Sequence, residues 1–191
     1  LLRECIRTRY VPVATGLEVF SDYLGGSNRW TVYRYAPPST DGNPPMLRYL
    51  SDMDPIDGSF QFGLLGRDRS VMDRPLRLGG LEYSKGISMN SNARVDYAVD
   101  GFSYFRAVIG IDDELDTLHP NYASAIFSVL LDDREVFRSE VMRQETPPRA
   151  VSVPLGDAKV LSLVVEDAGE GATGNLIWGD HGDWCDAWLV T

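Results

Sequence analysis

The side chains best equipped for chemistry crowd the end of the chain, where "GDHGDWCDAWLV" (179–190) places three aspartates, one histidine and two tryptophans. Asp180, His181, Asp183 and Asp186 could each donate to a metal. Protein zinc sites are marked by four-cysteine or H-E-x-x-H spacing, however, and neither pattern occurs. Calcium takes about six to eight oxygens from carboxylates and loop carbonyls. Two stretches have that composition: "IDDELD" (111–116), which contains Asp112 and Asp113, and "EDAGEGATGN" (166–175). Asp112 and Asp113 are therefore candidate ligands of a structural calcium ion, and no other cofactor is required. The only imidazoles, His119 and His181, sit beside turn-forming residues in "TLHPN" and "GDHGD", and no G-x-S-x-G elbow accompanies them. The chain is expected not to be an enzyme.

Sugar recognition asks for less: an aromatic face for the apolar side of a ring and a few planar polar groups that match adjacent hydroxyls. Strict strand alternation over 183–190 puts Trp184, Asp186 and Trp188 on one side and Cys185, Ala187 and Leu189 on the other. The small and aliphatic set suits a core, so the tryptophans are expected to face outward or to lie against a covering loop. Ordinary packing under a loop is the competing reading of such a Trp pair.

These residues must be positioned by strands. Short runs rich in β-branched and aromatic residues, separated by Gly, Pro, Asn and Asp, fill the chain, and no amphipathic helix is evident. Clear examples are "RWTVYRY" (29–35), "RVDYAV" (94–99), "SYFRAVIGI" (103–111), "SAIFSVLLDD" (124–133), "REVFRS" (134–139), "RAVSVPL" (149–155) and "KVLSLVVED" (159–167). Alternation assigns Phe105, Ala107, Ile109 and Ile111 to a core face, with Phe127, Val129, Leu131, Leu161, Leu163 and Val165. "LLDDREVF" has the form of a hairpin, which implies antiparallel pairing. The pattern predicts an all-β protein, an antiparallel β-sandwich of jelly-roll type. "APPSTDGNPP" (36–45) fits only a loop or linker and divides an N-terminal extension, 1–45, from one domain at 46–191.

The 191 residues carry a formal net charge of −10, and Lys85 and Lys159 are the only lysines. Nucleic acid and anionic membrane are poor partners for such a surface. No run approaches the roughly 20 apolar residues of a membrane span. The opening "LLRECIRTRY" lacks an initiating Met and a signal-peptide layout, so a fragment of a longer chain is expected. Cys5 and Cys185 are either two buried thiols or a disulfide joining the two ends.

From Leu47 onward the chain resembles the NPCBM domain, the novel putative carbohydrate-binding module related to family 51 carbohydrate-binding modules. The resemblance is carried in order by "YLSDMD" (49–54), "GRDRS" with "RPLRLGG" (66–80), the glycine-led turn "EYSKGI" (82–87) and "YFRAVIGIDDE" (104–114). "FSVLLDDREVFRSEVM" (127–142), "AKVLSLVVEDAGEG" (158–171) and the closing "GDHGDWCDAWLV" complete it. It implies a jelly-roll sandwich appended to glycoside hydrolases or other exported bacterial proteins, hence an extracellular or cell-surface location. It also implies binding of galactose-containing glycans, with other domains of a parent chain as further partners. After the glycine-led turn the family continues with a second Gly and then a His, where this chain has Ser88 and Asn90. Cys185 and Trp188 stand where the family more often has Ala and Arg. The expected site is Asn90, His181, Asp183 and Trp184, with Trp184 stacking on a sugar ring and the others hydrogen-bonding hydroxyls. The alternative is a structural or protein-interaction sandwich that has lost sugar binding.

Overall fold

The computed structural model describes residues 10–21, 26–35, 46–115, 123–169 and 179–191. Expectations placed on Cys5, His119 and the later part of 166–175 lie outside the described residues. In chain order the strands are β1 (Tyr10–Ser21), β2 (Gly26–Tyr35), β3 (Leu47–Tyr49), β4 (Asp57–Phe60), β5 (Gly66–Arg67), β6 (Leu76–Leu78), β7 (Leu81–Tyr83) and β8 (Gly86–Asn90). They continue with β9 (Ala93–Ala98), β10 (Tyr104–Ile111), β11 (Ser124–Leu131), β12 (Arg134–Arg138), β13 (Met142–Arg143), β14 (Arg149–Pro154), β15 (Val160–Asp167) and β16 (His181–Val190). β1 and β2 pair with each other, antiparallel, as a separate two-stranded sheet.

The rest is a β-sandwich of two antiparallel sheets. One runs β14-β10-β16-β8-β5, with β3 also on β16; the other runs β12-β11-β15-β9-β4, with β13 also on β11. Their inner faces carry one core, to which Ile87, Met89, Phe105, Ile109, Trp184 and Leu189 come from the first sheet and Val95, Tyr97, Phe127, Val129, Leu161 and Leu163 from the second. Every residue of the alternating sets on β10, β11 and β15 lies in this core. Alternation holds there because a strand with one buried face must turn every second side chain inward.

Two hairpins are closed by residues that accept a left-handed backbone. Asp132 and Asp133, at φ 48° and 63°, form the two-residue turn between the paired Leu131 and Arg134. Gly79 and Gly80, at φ 56° and 82°, close the β6–β7 hairpin in the same way. That hairpin lies on the outer face of the first sheet, where Leu76, Leu78 and Tyr83 pack with Cys185. Leu78 approaches so closely that a Cβ on Gly110 would sit 3.0 Å from it. "GISMN", which begins inside the glycine-led turn and runs past it, is strand β8, and its pairing with β16 is what builds the site.

The two sheets approach closely at Gly182, where a Cβ would lie 2.9 Å from both methyls of Val165 and 3.1 Å from the Phe127 ring. Gly182→Ala is expected to destabilise the domain by about 1–3 kcal/mol through overpacking. Urea denaturation would measure it, and an unchanged midpoint would show that the sheets can part at this point.

Candidate functional site

The pairing of β8 with β16 sets His181 opposite Asn90, Gly182 opposite Met89, Asp183 opposite Ser88 and Trp184 opposite Ile87. Ile87, Met89 and Trp184 belong to the core, so Ser88, Asn90, His181 and Asp183 share the outer face of the sheet. This brings three of the four expected site residues to one face. The fourth is corrected: Trp184 has no exposed surface and lies between Phe127, in an edge contact with ring centroids 5.4 Å apart, and Phe105 at 6.1 Å. It cannot stack on a sugar.

The reason is a β-bulge. On β10, Arg106 faces Trp188 and Val108 faces Cys185, so Asp186 and Ala187 together oppose Ala107, and Asp186 takes φ 45°. The extra residue inverts the alternation. Trp184, Ala187 and Leu189 point inward, whereas Cys185 lies under the β6–β7 hairpin and Trp188 packs outside with Leu47, Tyr49 and Val190. Cys185 is a free, fully buried thiol, so it is not held in a disulfide.

Asp183 is a second correction, because it is fully buried beside Asp112 instead of open to a ligand. Burial pushes its carboxyl well above the usual range, and the neighbouring Asp112 carboxylate reinforces the shift. Burial also raises Asp112, but three hydrogen bonds favour its charged form: from Asp183, from the Arg77 amide (3.1 Å) and from the Glu114 amide (2.8 Å). Asp183 therefore carries the proton and donates it to Asp112. Asp113 accepts from the amides of Gly79 (3.1 Å) and Gly80 (2.7 Å). The expected calcium ligands thus fasten the β6–β7 hairpin to the sheet. Among the described residues no group of His, Cys, Asp or Glu side chains is arranged to hold a metal.

His181 and Asn90 are placed differently. The His181 Nδ1 lies 2.5 Å from Glu114 Oε1, and the other Glu114 oxygen accepts from Ser70 Oγ at 2.5 Å. Ser70 Oγ in turn accepts from the amides of Met72 and Arg74. With Nδ1 held by a carboxylate, the ring is fixed and Nε2 is left without a partner among the described residues. Opposite it, the Asn90 carbonyl oxygen is buried and has no hydrogen-bond partner. Buried polar groups are nearly always satisfied, so an orphan acceptor beside a free imidazole nitrogen marks a place where a ligand can complete the bonding. Ser70 Oγ meets the Glu114 carboxylate and not the imidazole, so no Ser–His pair forms among the described residues.

The loops around this pair are tied down by residues that sequence reasoning missed. Asp180, buried, accepts from Ser91 Oγ (2.7 Å) and the Ser124 amide (2.8 Å), which joins the β8–β9 turn to the start of β11. Asn92 donates to Gln61 and accepts from the Asp167 amide. Gln61 opens the loop that carries Phe62, 62 % exposed, and Leu64, 81 % exposed; Met72, 53 % exposed, follows Ser70. Apolar side chains thus flank the polar pair at one end of the sandwich. The only sequence signal for these ties was turn-forming residues beside strands, which does not say what they hold.

The sequence profile of the NPCBM/NEW2 domain matches residues 47–190. The chain belongs to that family. A protein of Renibacterium salmoninarum that carries the name of an endo-alpha-N-acetylgalactosaminidase is 37% identical over 152 residues, 75% of this chain and 10% of that one. A CBM51 module from Clostridium perfringens GH95, solved in complex with methyl-galactose, superposes with a TM-score of 0.67 at 31% identity, covering 75% of this chain and 99% of the module. The CBM51-2 and INT domains of Clostridium perfringens ZmpB give 0.69 at 27% identity, covering 76% of this chain and 32% of that structure. The chain thus spans a tenth of the curated relative and about a third of the ZmpB structure. This NPCBM domain is a carbohydrate-binding module in fold and family, found in multidomain relatives.

Two outcomes follow from the buried residues. Trp184→Ala is expected to cost about 3–5 kcal/mol of stability in denaturant titrations, as core truncations of Trp do. Asp183 has its folded-state pKa raised above the unfolded value near ~3.9. The folded state then binds the proton more tightly, so this stabilisation is complete below about pH 4 and is lost as pH rises through the raised pKa. Asp183→Asn keeps a donor toward Asp112 without that titration. Its melting temperature should gain on the parent as pH rises from about 4 to 9. A gap that stays constant across that range would sink the assignment.

Proposed function

We propose that this NPCBM domain binds a terminal sugar of a glycan at the loop end of the sandwich and, without catalysis, directs a larger exported protein to its substrate. The observation that carries the reading is the pair at the β8–β16 register: the orphan Asn90 oxygen as acceptor and the His181 Nε2, its ring locked by Glu114, as second partner. Phe62 and Leu64 supply exposed apolar surface on the loop tied to Asn92, suited to the C–H face of a sugar ring. Galactose is the first candidate, since the CBM51 module solved with methyl-galactose is 31% identical to this chain. Asn90 departs from the histidine of the family pattern, yet its amide can both donate to and accept from hydroxyls.

The reading of a module that has lost its site gains no support from the two residues that would have filled it. Met89 points into the core, and Trp188 lies with Tyr49 and Val190, at the opposite end of β16 from His181. Export agrees with the multidomain hydrolase relatives, and no helix among the described residues is long and apolar enough to cross a membrane.

Titration calorimetry or NMR with methyl-galactose tests the assignment. Asn90→Ala and His181→Ala should each lower affinity about tenfold, the scale of one or two sugar hydrogen bonds. Unchanged affinity in both variants would move the site elsewhere.

A further inference from the structure

An open groove lies far from Asn90 and His181. This groove of about 760 Å³ runs between β12 and β14, the neighbouring edges of the two sheets, and reaches the Asp132–Asp133 and Gly156–Asp157 turns. The strand directions put these turns at the end where β15 begins, opposite the end where β16 begins with His181. The buried Leu131, Val153 and Leu155 form the floor, and Val136, Phe137 and Pro154 form the walls. The Arg149 guanidinium lies over the Phe137 ring at 5.3 Å and holds it.

Most charges along this edge are already engaged. Asp133 binds Arg94, Glu135 binds Arg138, Lys159 binds Asp100, and Asp132 accepts from the amides of Lys159 and Val160. Of the charged groups lining the groove, Arg134 and Asp157 make no hydrogen bond or ion pair among the described residues. One is a planar donor fork and the other a planar acceptor, beside an apolar wall.

We propose that this groove is a second glycan-contacting site that takes a neutral oligosaccharide, Arg134 donating to its hydroxyls, Asp157 accepting from them and the Val136–Phe137 wall covering C–H faces. Neutrality follows from the opposed charges of Arg134 and Asp157 and from the −10 charge of the chain, which repels anionic sugars. An added β-strand is disfavoured, because β12 presents Arg134, Glu135 and Arg138 at its edge and β14 ends in Pro154, which lacks an N–H. A packed protein domain would strip water from Arg134 and Asp157 without pairing them. The volume lies within the roughly 300–1,000 Å³ of small-ligand sites.

The proposal goes beyond the loop-end site, and its test separates the two. Lacto-N-tetraose, built of galactose, N-acetylglucosamine and glucose, would be titrated into the ¹⁵N-labelled chain, with methyl-galactose in parallel. Amide shifts are expected at Val136, Ser152 and Gly156 with the tetrasaccharide. The exposed-residue double variant Arg134→Ala, Asp157→Ala should weaken that response about tenfold and leave the methyl-galactose titration unchanged. Silence of the groove amides at saturating tetrasaccharide overturns the proposal, as does an unaltered response in the double variant. Shifts at Asn90 and His181 alone would support the loop-end site while removing this one, and groove shifts that survive Asn90→Ala and His181→Ala would support the groove independently of the loop-end site.

Discussion

The bulge at Asp186 is the constraint on which the molecule turns. β16 is buried on both faces along its whole length, between β10 on one side and β8 and β3 on the other. A strand so placed must present a correct inward and outward set at both ends, and one inserted residue changes that parity. Ahead of the bulge the inward residues are Gly182 and Trp184, small and large in alternation, so that the second sheet comes close at one and rests on an indole at the other. Beyond it, Ala187 and Leu189 take over the core and Trp188 is turned out. Without the bulge either Trp184 or Leu189 would leave the core, with about 2–3 kcal/mol of burial lost for each side chain.

The outer face created by that parity is polar and dry, an expensive combination unless every group is bonded. Backbone amides supply most of the bonding. Asp112 takes those of Arg77 and Glu114, Asp113 those of Gly79 and Gly80, and Asp180 that of Ser124. Each carboxylate also fixes a loop, since removing it would strand an amide at about 1–3 kcal/mol. The Asp112–Asp183 pair adds a shared proton, which lets two acids lie side by side under a hairpin at neutral pH. Three atoms on this face stay without a partner: Ser88 Oγ, Asp183 Oδ1 and, opposite His181, the Asn90 carbonyl oxygen.

Much of this architecture was legible in the sequence wherever a single rule governed. Phe105 to Ile111, Phe127 to Leu131 and Leu161 to Val165 alternate and are core, and "LLDDREVF" is the hairpin it resembles, because half-buried strands and two-residue turns each impose a local pattern. The last strand followed two rules at once. Its alternation was readable, but the break at Asp186 depends on the backbone of β10, which no residue type in "DWCDAW" announces. Trp184 and Asp183 were misplaced for that reason and for burial by a hairpin, Leu76–Tyr83, far upstream in the chain. His181 and Asn90 were assigned to one site by type and resemblance, while Glu114, which holds the His181 ring, and Ser70 behind it were invisible, being joined only through the fold.

A sandwich built this way confines recognition to its margins. The inner faces are sealed, the outer face of the first sheet is covered by the β6–β7 hairpin, and the Asp132–Asp133 turn caps the start of β15 through its own side chain. Ligand-sized openings are left where strands end or where an edge has no neighbour. The loop end offers an orphan acceptor and a fixed imidazole beside exposed apolar residues. The β12–β14 edge offers Arg134 and Asp157, neither in a hydrogen bond among the described residues, beside an aromatic wall. Met46 and Thr191 bond to each other next to Val190, at the end of β16 away from His181. On the reading proposed above, a glycan enters at the end with the polar pair of Asn90 and His181. A groove along one side could contact the same glycan only if the chain of sugars were long enough to reach around the edge, which ties any joint use of the two openings to oligosaccharide length rather than to the identity of the terminal sugar.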